Sequence, residues 1–279
     1  MISSKFEKKT YFYKAQALYE KLFLLGICLS NISVLFMMSA PVVIFGERKL
    51  FFQPSMWFFN LEKSPNFELM LVYQMISSLV LACANVSFDT IYCGFLCSSA
   101  GAFKSLSREI REIDEVIDDH QKSEAKLKNA IEKVIEISSF VDKISDVFAM
   151  TTFTHIVYLC GFMSLGLYVI ARMEFHNVDF FGIVFSTITS TFLLWMYCHF
   201  GQNLVDRRLK LHTELYFIKW YQATKSFKVM ILVSMAVLQN ERYVYAGKLI
   251  PLSMETFGHV LRRAYAFFAF INELRPKNL

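Results

Sequence analysis

Residues 69–102 read LMLVYQMISSLVLACANVSFDTIYCGFLCSSAGA, and this stretch decides the fold. Asp89 is its only charged residue. A helix crosses the hydrocarbon core of a bilayer with roughly 20 apolar residues, and this stretch is longer than that. Because a helix in a soluble core rarely needs more than about four turns, the stretch predicts a membrane-spanning helix.

Four further apolar segments have the same character, at 22–45, 148–171, 180–205 and 252–271. The first of them is too long for the apolar part of a cleaved signal peptide and lacks an obvious small-residue cleavage site, so we interpret it as a retained span. The sequence therefore predicts an all-α, polytopic transmembrane bundle with five spans.

The composition supports a membrane protein. Hydrophobic residues make up 55% of the 279 residues, and the mean hydropathy is +0.39. A soluble domain of this length would have difficulty keeping such a surface wetted. Glycine and proline are scarce and no segment is of low complexity, which favours a single membrane domain over residues 1–279.

The sequence offers no catalytic constellation. We find no serine, histidine and carboxylate set, no glycine-rich phosphate loop and no metal-ligand spacing, so we expect neither an enzyme nor a cofactor. Cys93 and Cys97 share a helical face, but no histidine or carboxylate is in register with them. Packing is therefore favoured over a metal site for this pair.

Lysine and arginine collect before the first span and in the connections 103–147 and 206–250, whereas the other two connections are poor in them. Basic connections stay in the cytoplasm. The pattern therefore predicts an amino terminus inside the cell and, after five crossings, a carboxyl terminus outside.

The two basic connections are patterned rather than random. Connection 103–147 has no Pro or Gly and carries apolar residues at three- and four-residue spacing, and 206–250 contains the apolar run 227–238, which is too short to span. We expect cytoplasmic helices that form an anchor layer, with ordinary solvated loops as the alternative. The periodic residues of the first connection are Ile110, Ile113, Ile117, Leu127, Ile131, Val134 and Ile135.

The last span carries a polar face in its cytoplasmic half, formed by Glu255, His259 and Arg262 together with Arg263. Ionisable groups that face lipid are costly, so we expect this face to meet protein or water. The alternative is that the span starts later and these residues belong to the anchor layer.

Phe270 and Leu274 share a face in the outer half of the last span, with Glu273 beside them. If copies of the helix surround an axis, two apolar rings would block ions by excluding water, and the carboxylate would favour cations at the mouth. An aromatic stripe that faces lipid or the core is the alternative. Of the other polar groups at bilayer depth, Asp89 is expected to pair with a neighbouring helix.

Several strings resemble one family. Residues 197–204 read YCHFGQNL and residues 251–257 read PLSMETF, and both are similar in order and spacing to the carboxyl-terminal signature of insect odorant receptors. The similarity extends upstream, where further residues resemble the fourth helix of that family and the segments around it. The additional residues are Glu214, Leu215, Tyr216, Trp220, Tyr221, Ala264 and Tyr265, with Pro54, Trp57, Phe58, Tyr73, Gln74, Asp89, Thr90 and His120 upstream.

The resemblance implies a ligand-gated, nonselective cation channel of seven membrane helices, assembled as a tetramer with a co-receptor subunit. It implies a place in the plasma membrane of olfactory sensory neurons, a small volatile ligand and no nucleic-acid partner. The final helix would line the pore, with Phe270 and Leu274 at the hydrophobic gate and Glu273 at the neighbouring polar position. Arg263 departs from the small residue usual before the Ala-Tyr pair.

The family has seven spans and this sequence shows five, the first of which matches the family's third. We expect an incomplete gene model, and the family's odorant pocket would then lack one wall. The resemblance places the pocket in the outer half of the retained helices. The candidate residues are Met37, Met38, Tyr73, Gln74, Ser77, Phe185 and Thr189.

Two other functions stay open at this point. A non-conducting, truncated membrane scaffold would still assemble through the anchor layer. A gustatory receptor or a G-protein-coupled receptor is less favoured, because the Thr-Tyr and Gln-Phe pairs of the former are absent and the lysine distribution opposes the latter.

Overall fold

Long helices dominate the computed structural model, which describes residues 17, 19–36, 64–172, 178–239 and 243–273, with the backbone alone for 178 and 179. Long apolar runs that contain no proline explain helices of this length. The four long ones are α1 (Tyr19–Phe36), α2 (Asn66–Asp114), α3 (His120–Ile170) and α4 (Val178–Phe217).

Shorter elements follow α4. They are a 3₁₀ turn (Trp220–Gln222), α5 (Lys225–Gln239), the strands β1 (Tyr245–Ala246) and β2 (Ile250–Pro251), and α6 (Met254–Glu273). The strands form an antiparallel hairpin in which Tyr245 lies opposite Pro251.

The helical membrane fold is confirmed. Within the described ranges, α1 to α4 are long and apolar enough to cross a bilayer. Helix α6 coincides with the fifth predicted span, but Glu255, Arg262 and Arg263 interrupt its apolar sequence and it is not among those four. Its crossing, and the direction in which the chain threads, stay predictions.

Helices α2 and α3 continue well beyond their apolar spans, to 49 and 51 residues. The periodic apolar residues explain this, since Ile110, Ile113 and Leu127 are almost completely buried. Ile135 is an exception with 61% exposure, because it follows the buried Val134 by a single residue and so points away from that face.

The chain divides into two compact units. One contains Tyr92–Thr154 and Met196–Phe257 and is called here the charged unit. Its core is aromatic at one end, where the ring of Tyr92 lies 5.2 Å from that of Phe148 and 5.6 Å from that of Tyr197. Buried Arg208 donates from Nη2 to the carbonyl oxygen of Val237 at 3.1 Å, which joins α4 to α5.

The other unit contains Lys21–Ile91, His155–Trp195 and Gly258–Leu279 and is called here the apolar unit. Large apolar side chains of α2 point outward, among them Leu69, Ile76 and Val80, each more than half exposed. Small polar side chains of α4 point inward, as Ser186 and Thr189 do. An apolar exterior over a partly polar interior is the arrangement expected where lipid replaces water.

Candidate functional site

The start of α6 is fixed against α4 by the two strings that carry the family resemblance. Gly201 lies so close to the chain at Leu252 that a Cβ on this glycine would come within 2.5 Å of the Leu252 carbonyl oxygen. Ser253 caps α6, since its hydroxyl accepts the backbone N–H of Thr256 at 3.1 Å. The Thr256 hydroxyl in turn donates to the Pro251 carbonyl oxygen at 2.7 Å.

The hairpin before α6 is held by α3. Gly247 has φ +60°, and its backbone N–H donates to the Ala149 carbonyl oxygen at 2.9 Å. A Cβ on Gly247 would meet the ring of Phe153 at 2.8 Å, so backbone conformation and space both require glycine here. This hairpin was not predicted from the sequence, in which the glycine was the available signal.

Helix α6 itself is largely uncovered. Ala264 is its only buried residue, although α6 is clearly amphipathic. On the predicted polar face, Glu255, His259 and Arg262 are all exposed, and the Arg262 guanidinium lies 3.2 Å from Nδ1 of His259.

The predicted gate residues lie at the other end of α6. Phe270 is 59% exposed and Glu273 is exposed on the last turn. Leu274 lies outside the described residues. The aromatic side chains Phe267 and Phe270 at this end of α6 are 48% and 59% exposed.

The predicted pocket residues separate into two groups. Gln74 and Thr189 are buried within the apolar unit, at 5% and 7% exposure, whereas Tyr73 and Ser77 are exposed on α2. Phe185 is 37% exposed.

Phe185 has an aromatic neighbour on α1. Its ring lies 5.9 Å from the ring of Phe36. Met37 and Met38, which follow Phe36 in the sequence, lie outside the described residues. Phe185 therefore lies beside the carboxyl-terminal end of α1, the last residue of which directly precedes the two methionines in the sequence.

Asp89 pairs with a neighbouring helix, as predicted. Its carboxylate lies 3.0 Å from Nδ1 of His155 on α3, and the two side chains are 4% and 17% exposed. His155 was not predicted from the sequence, because a lone histidine in an apolar run is not distinctive. A second polar link, between the hydroxyls of Ser33 and Ser186 at 2.5 Å, joins α1 to α4 and was also missed.

Charged side chains tie the charged unit together. Arg111 donates from its guanidinium to both carboxylate oxygens of Glu214. These hydrogen bonds, and the charge of Glu214, raise the pKa of Arg111. Lys133 Nζ lies 2.7 Å from the Glu109 carboxylate, which links α3 to α2.

In the described part of the chain, no group of three His, Cys, Asp or Glu residues is arranged to hold a metal ion. Cys93 is completely buried and Cys97 partly so.

Comparisons with known proteins point to one family. Residues 4–265 match the family model described as 7tm Odorant receptor. The chain is similar to Odorant receptor 2a of Drosophila melanogaster, with 24% identity over 249 residues that cover 85% of this chain and 62% of that protein. It is 27% identical over 163 residues to Putative odorant receptor 19b of Drosophila melanogaster, which covers 58% of this chain and 38% of that protein. The chain therefore spans less than two thirds of the length of these relatives.

A solved structure has the same fold. The olfactory receptor OR5 of Machilis hrabei, in complex with eugenol, superposes with a TM-score of 0.83 over 99% of this chain and 70% of that chain. The identity between the two is 14%, so the match concerns the fold alone.

Proposed function

The chain belongs to the 7tm odorant receptor family, and from this premise we propose that it is a subunit of an odorant-gated, nonselective cation channel. The channel acts with a co-receptor subunit in a tetramer, in the plasma membrane of olfactory sensory neurons. The family match over residues 4–265 is the observation that carries this proposal.

Helix α6 supports a role at the pore. It is fixed at its first turn by Ser253 and Thr256, while Ala264 is the only residue of the helix that is buried. Charged groups on a helix at membrane depth need protein or water beside them. Neighbouring copies of α6 around a water-filled axis would supply both to the face of Glu255, His259 and Arg262.

The gate is proposed at the outer end of this helix. Copies of Phe270 and Leu274 around the axis would narrow it with apolar rings, which exclude water and therefore ions in the closed state. Glu273, on the same turn, would attract cations to the mouth of the pore. Opening then requires the rings to separate, whatever the ligand.

The ligand site is proposed in the apolar unit, among the outer halves of α1, α2 and α4. Phe36 and Phe185 supply aromatic surface there. Gln74 and Thr189 supply a small number of buried polar groups. Burial of apolar surface gives most of the affinity for a small volatile compound, and a few hydrogen-bonding groups orient it. The eugenol bound by the Machilis hrabei receptor is such a compound.

The threading is proposed from the basic connections, with the amino terminus in the cytoplasm and Leu279 outside the cell. An epitope tag after Leu279 tests it directly. Staining of intact cells is expected, and staining that needs permeabilised cells would contradict the threading.

The function is tested by expressing the chain with a co-receptor in cells and recording current during a broad odorant panel. We expect an inward current carried by both sodium and potassium, which disappears when either subunit is left out. A chain that reaches the surface, assembles with the co-receptor and stays silent would contradict channel function and favour the non-conducting scaffold.

A further inference from the structure

Two ion pairs set the alignment of α2 with α4 in the charged unit. The first is between Arg111 and Glu214. In the second, one carboxylate oxygen of Asp114 accepts the backbone N–H of Lys219 at 3.0 Å, and the other oxygen of Asp114 lies 3.6 Å from Nζ of Lys219. The later residue on α2 thus pairs with the later residue after α4. The two helices therefore run in parallel here, and residues one or two turns before Arg111 lie beside those one or two turns before Glu214.

Four basic residues lie on the turns of α2 and α4 that precede Arg111 and Glu214. Lys104 and Arg108 on α2 are four residues apart and share a face, as do Arg207 and Lys210 on α4, which are three apart. The first three are partly exposed and Lys210 is exposed. These four residues are called here the basic cluster.

The four charges act on one another. Burial, and then the charges of Arg207, Arg108 and Lys210, lower the pKa of Lys104. Like charges held this close repel each other. A bound anion would remove the repulsion and favour the protonated form of Lys104.

Two carboxylates close to the cluster in sequence have partners outside it. Asp206 accepts a hydrogen bond from the Gln202 amide at 2.8 Å. Glu109 accepts one from Lys133 at 2.7 Å. Each of these two acids thus has a partner outside the basic cluster.

The cluster lies at the depth of lipid headgroups. Lys104 follows the predicted span 69–102 by two residues, and Arg207 follows 180–205 by two. A rise of about 1.5 Å per residue puts both just outside the hydrocarbon. Basic groups between helices at this depth suit phosphorylated lipid headgroups.

We propose that the basic cluster binds the phosphorylated headgroup of an anionic lipid in the adjoining leaflet. The two guanidinium groups suit bidentate contact with phosphate oxygens, and the two ammonium groups add charge without a fixed direction. Such a lipid would bridge α2 and α4 on the cytoplasmic side, in the threading proposed above, on which this inference rests. It does not depend on conduction or on an odorant.

The test uses the purified chain in neutral detergent micelles and a fluorescent, short-chain phosphatidylinositol bisphosphate. Micelles have no inside or outside, so a wrong threading would not affect this readout. We expect saturable binding that weakens about thirty-fold in the double variant Lys104→Gln, Lys210→Gln, since each basic group near a membrane surface is worth about 1 kcal/mol. The charge-keeping variant Lys104→Arg, Lys210→Arg should bind within about threefold of the original chain.

The matched control is Lys122→Gln, Lys128→Gln, which removes the same charge from exposed positions on α3 and should leave binding unchanged. Equal losses in the two glutamine pairs would mean nonspecific attraction and overturn the proposal. Binding of inositol trisphosphate as tight as that of the lipid would show that a soluble phosphate, rather than a membrane lipid, is the ligand. Binding unchanged by Lys104→Gln, Lys210→Gln would exclude the site.

Discussion

The backbone carbonyl oxygen of Leu252 lies where a side chain at Gly201 would have to be, 2.5 Å from the position of its Cβ. The contact joins α4 to the residues just before α6. It explains why the sequence segments around Gly201 and Leu252 are packed against each other. Without this close approach, the first turn of α6 would not lie against α4.

Gly201→Ala is therefore expected to destabilise the folded chain by about 1–3 kcal/mol, because the clash is with backbone that cannot turn away. The measurement is thermal unfolding of the detergent-solubilised protein. Gly161→Ala is the matched control, since no described residue lies within 4 Å of the position that a Cβ would take there. In a helix interior that change should be neutral or stabilising by about 0.5–1 kcal/mol. Equal effects at the two glycines would contradict the role given to Gly201.

Some parts of this region could be predicted from the sequence and others could not. Hydropathy and the spacing of apolar residues were sufficient to predict the helices. An apolar run such as 69–102 can cross lipid only as a helix, and Ile110 and Ile113 repeat at helical spacing. They were insufficient for the hairpin at Tyr245 and Pro251, whose two-residue strands are too short to have a period.

The candidate site was predictable to a lesser degree. The sequence indicated that Asp89 needed a partner, because a lone carboxylate in lipid is costly. It did not indicate His155, since the pairing depends on how α2 and α3 pack. Likewise Tyr73 and Gln74 look alike in sequence as polar neighbours, yet one is exposed and the other buried. The rotation of a helix about its axis decides this difference, and it is set by packing.

Asp89→Ala is expected to cost about 1–3 kcal/mol, because the imidazole N–H of His155 loses a buried acceptor. In a double-mutant cycle, adding His155→Ala should cost much less than it does in the original chain. Asp118→Ala, at an exposed turn position, is the control and should have little effect. Simple additivity in the cycle would mean that the pair contributes nothing.

Gln74→Leu is expected to change the ligand preference rather than remove the response. The substitution keeps the volume of a buried side chain but removes its hydrogen-bonding groups. Odorants with a hydroxyl or carbonyl group should lose about tenfold in potency, the value of one hydrogen bond, while hydrocarbons should not. Dose–response curves of evoked current provide the measurement.

Ser77→Ala is the control for Gln74, because Ser77 is exposed on the same helix. It should leave both classes of odorant unchanged. The opposite outcome, a changed odorant preference in Ser77→Ala and an unchanged one in Gln74→Leu, would place the ligand against the outer face of α2 and contradict a site inside the apolar unit.

Phe270→Ala tests the gate. If rings of Phe270 hold the pore closed by excluding water, the smaller side chain leaves the axis wide enough to stay wet. The expected result is a current in the absence of odorant, carried by the same cations as the evoked current and measured at matched surface expression. Phe270→Leu keeps a bulky apolar side chain at this position in every copy around the axis, so its resting current should be as low as that of the original chain.

Tyr265→Ala is the control, because Tyr265 is more exposed than Phe270 and lies five residues away, on a different face of α6. A similar resting current in both alanine variants would indicate general loosening of the helix, and a tight, fully gated Phe270→Ala channel would mean that the barrier to ions lies elsewhere.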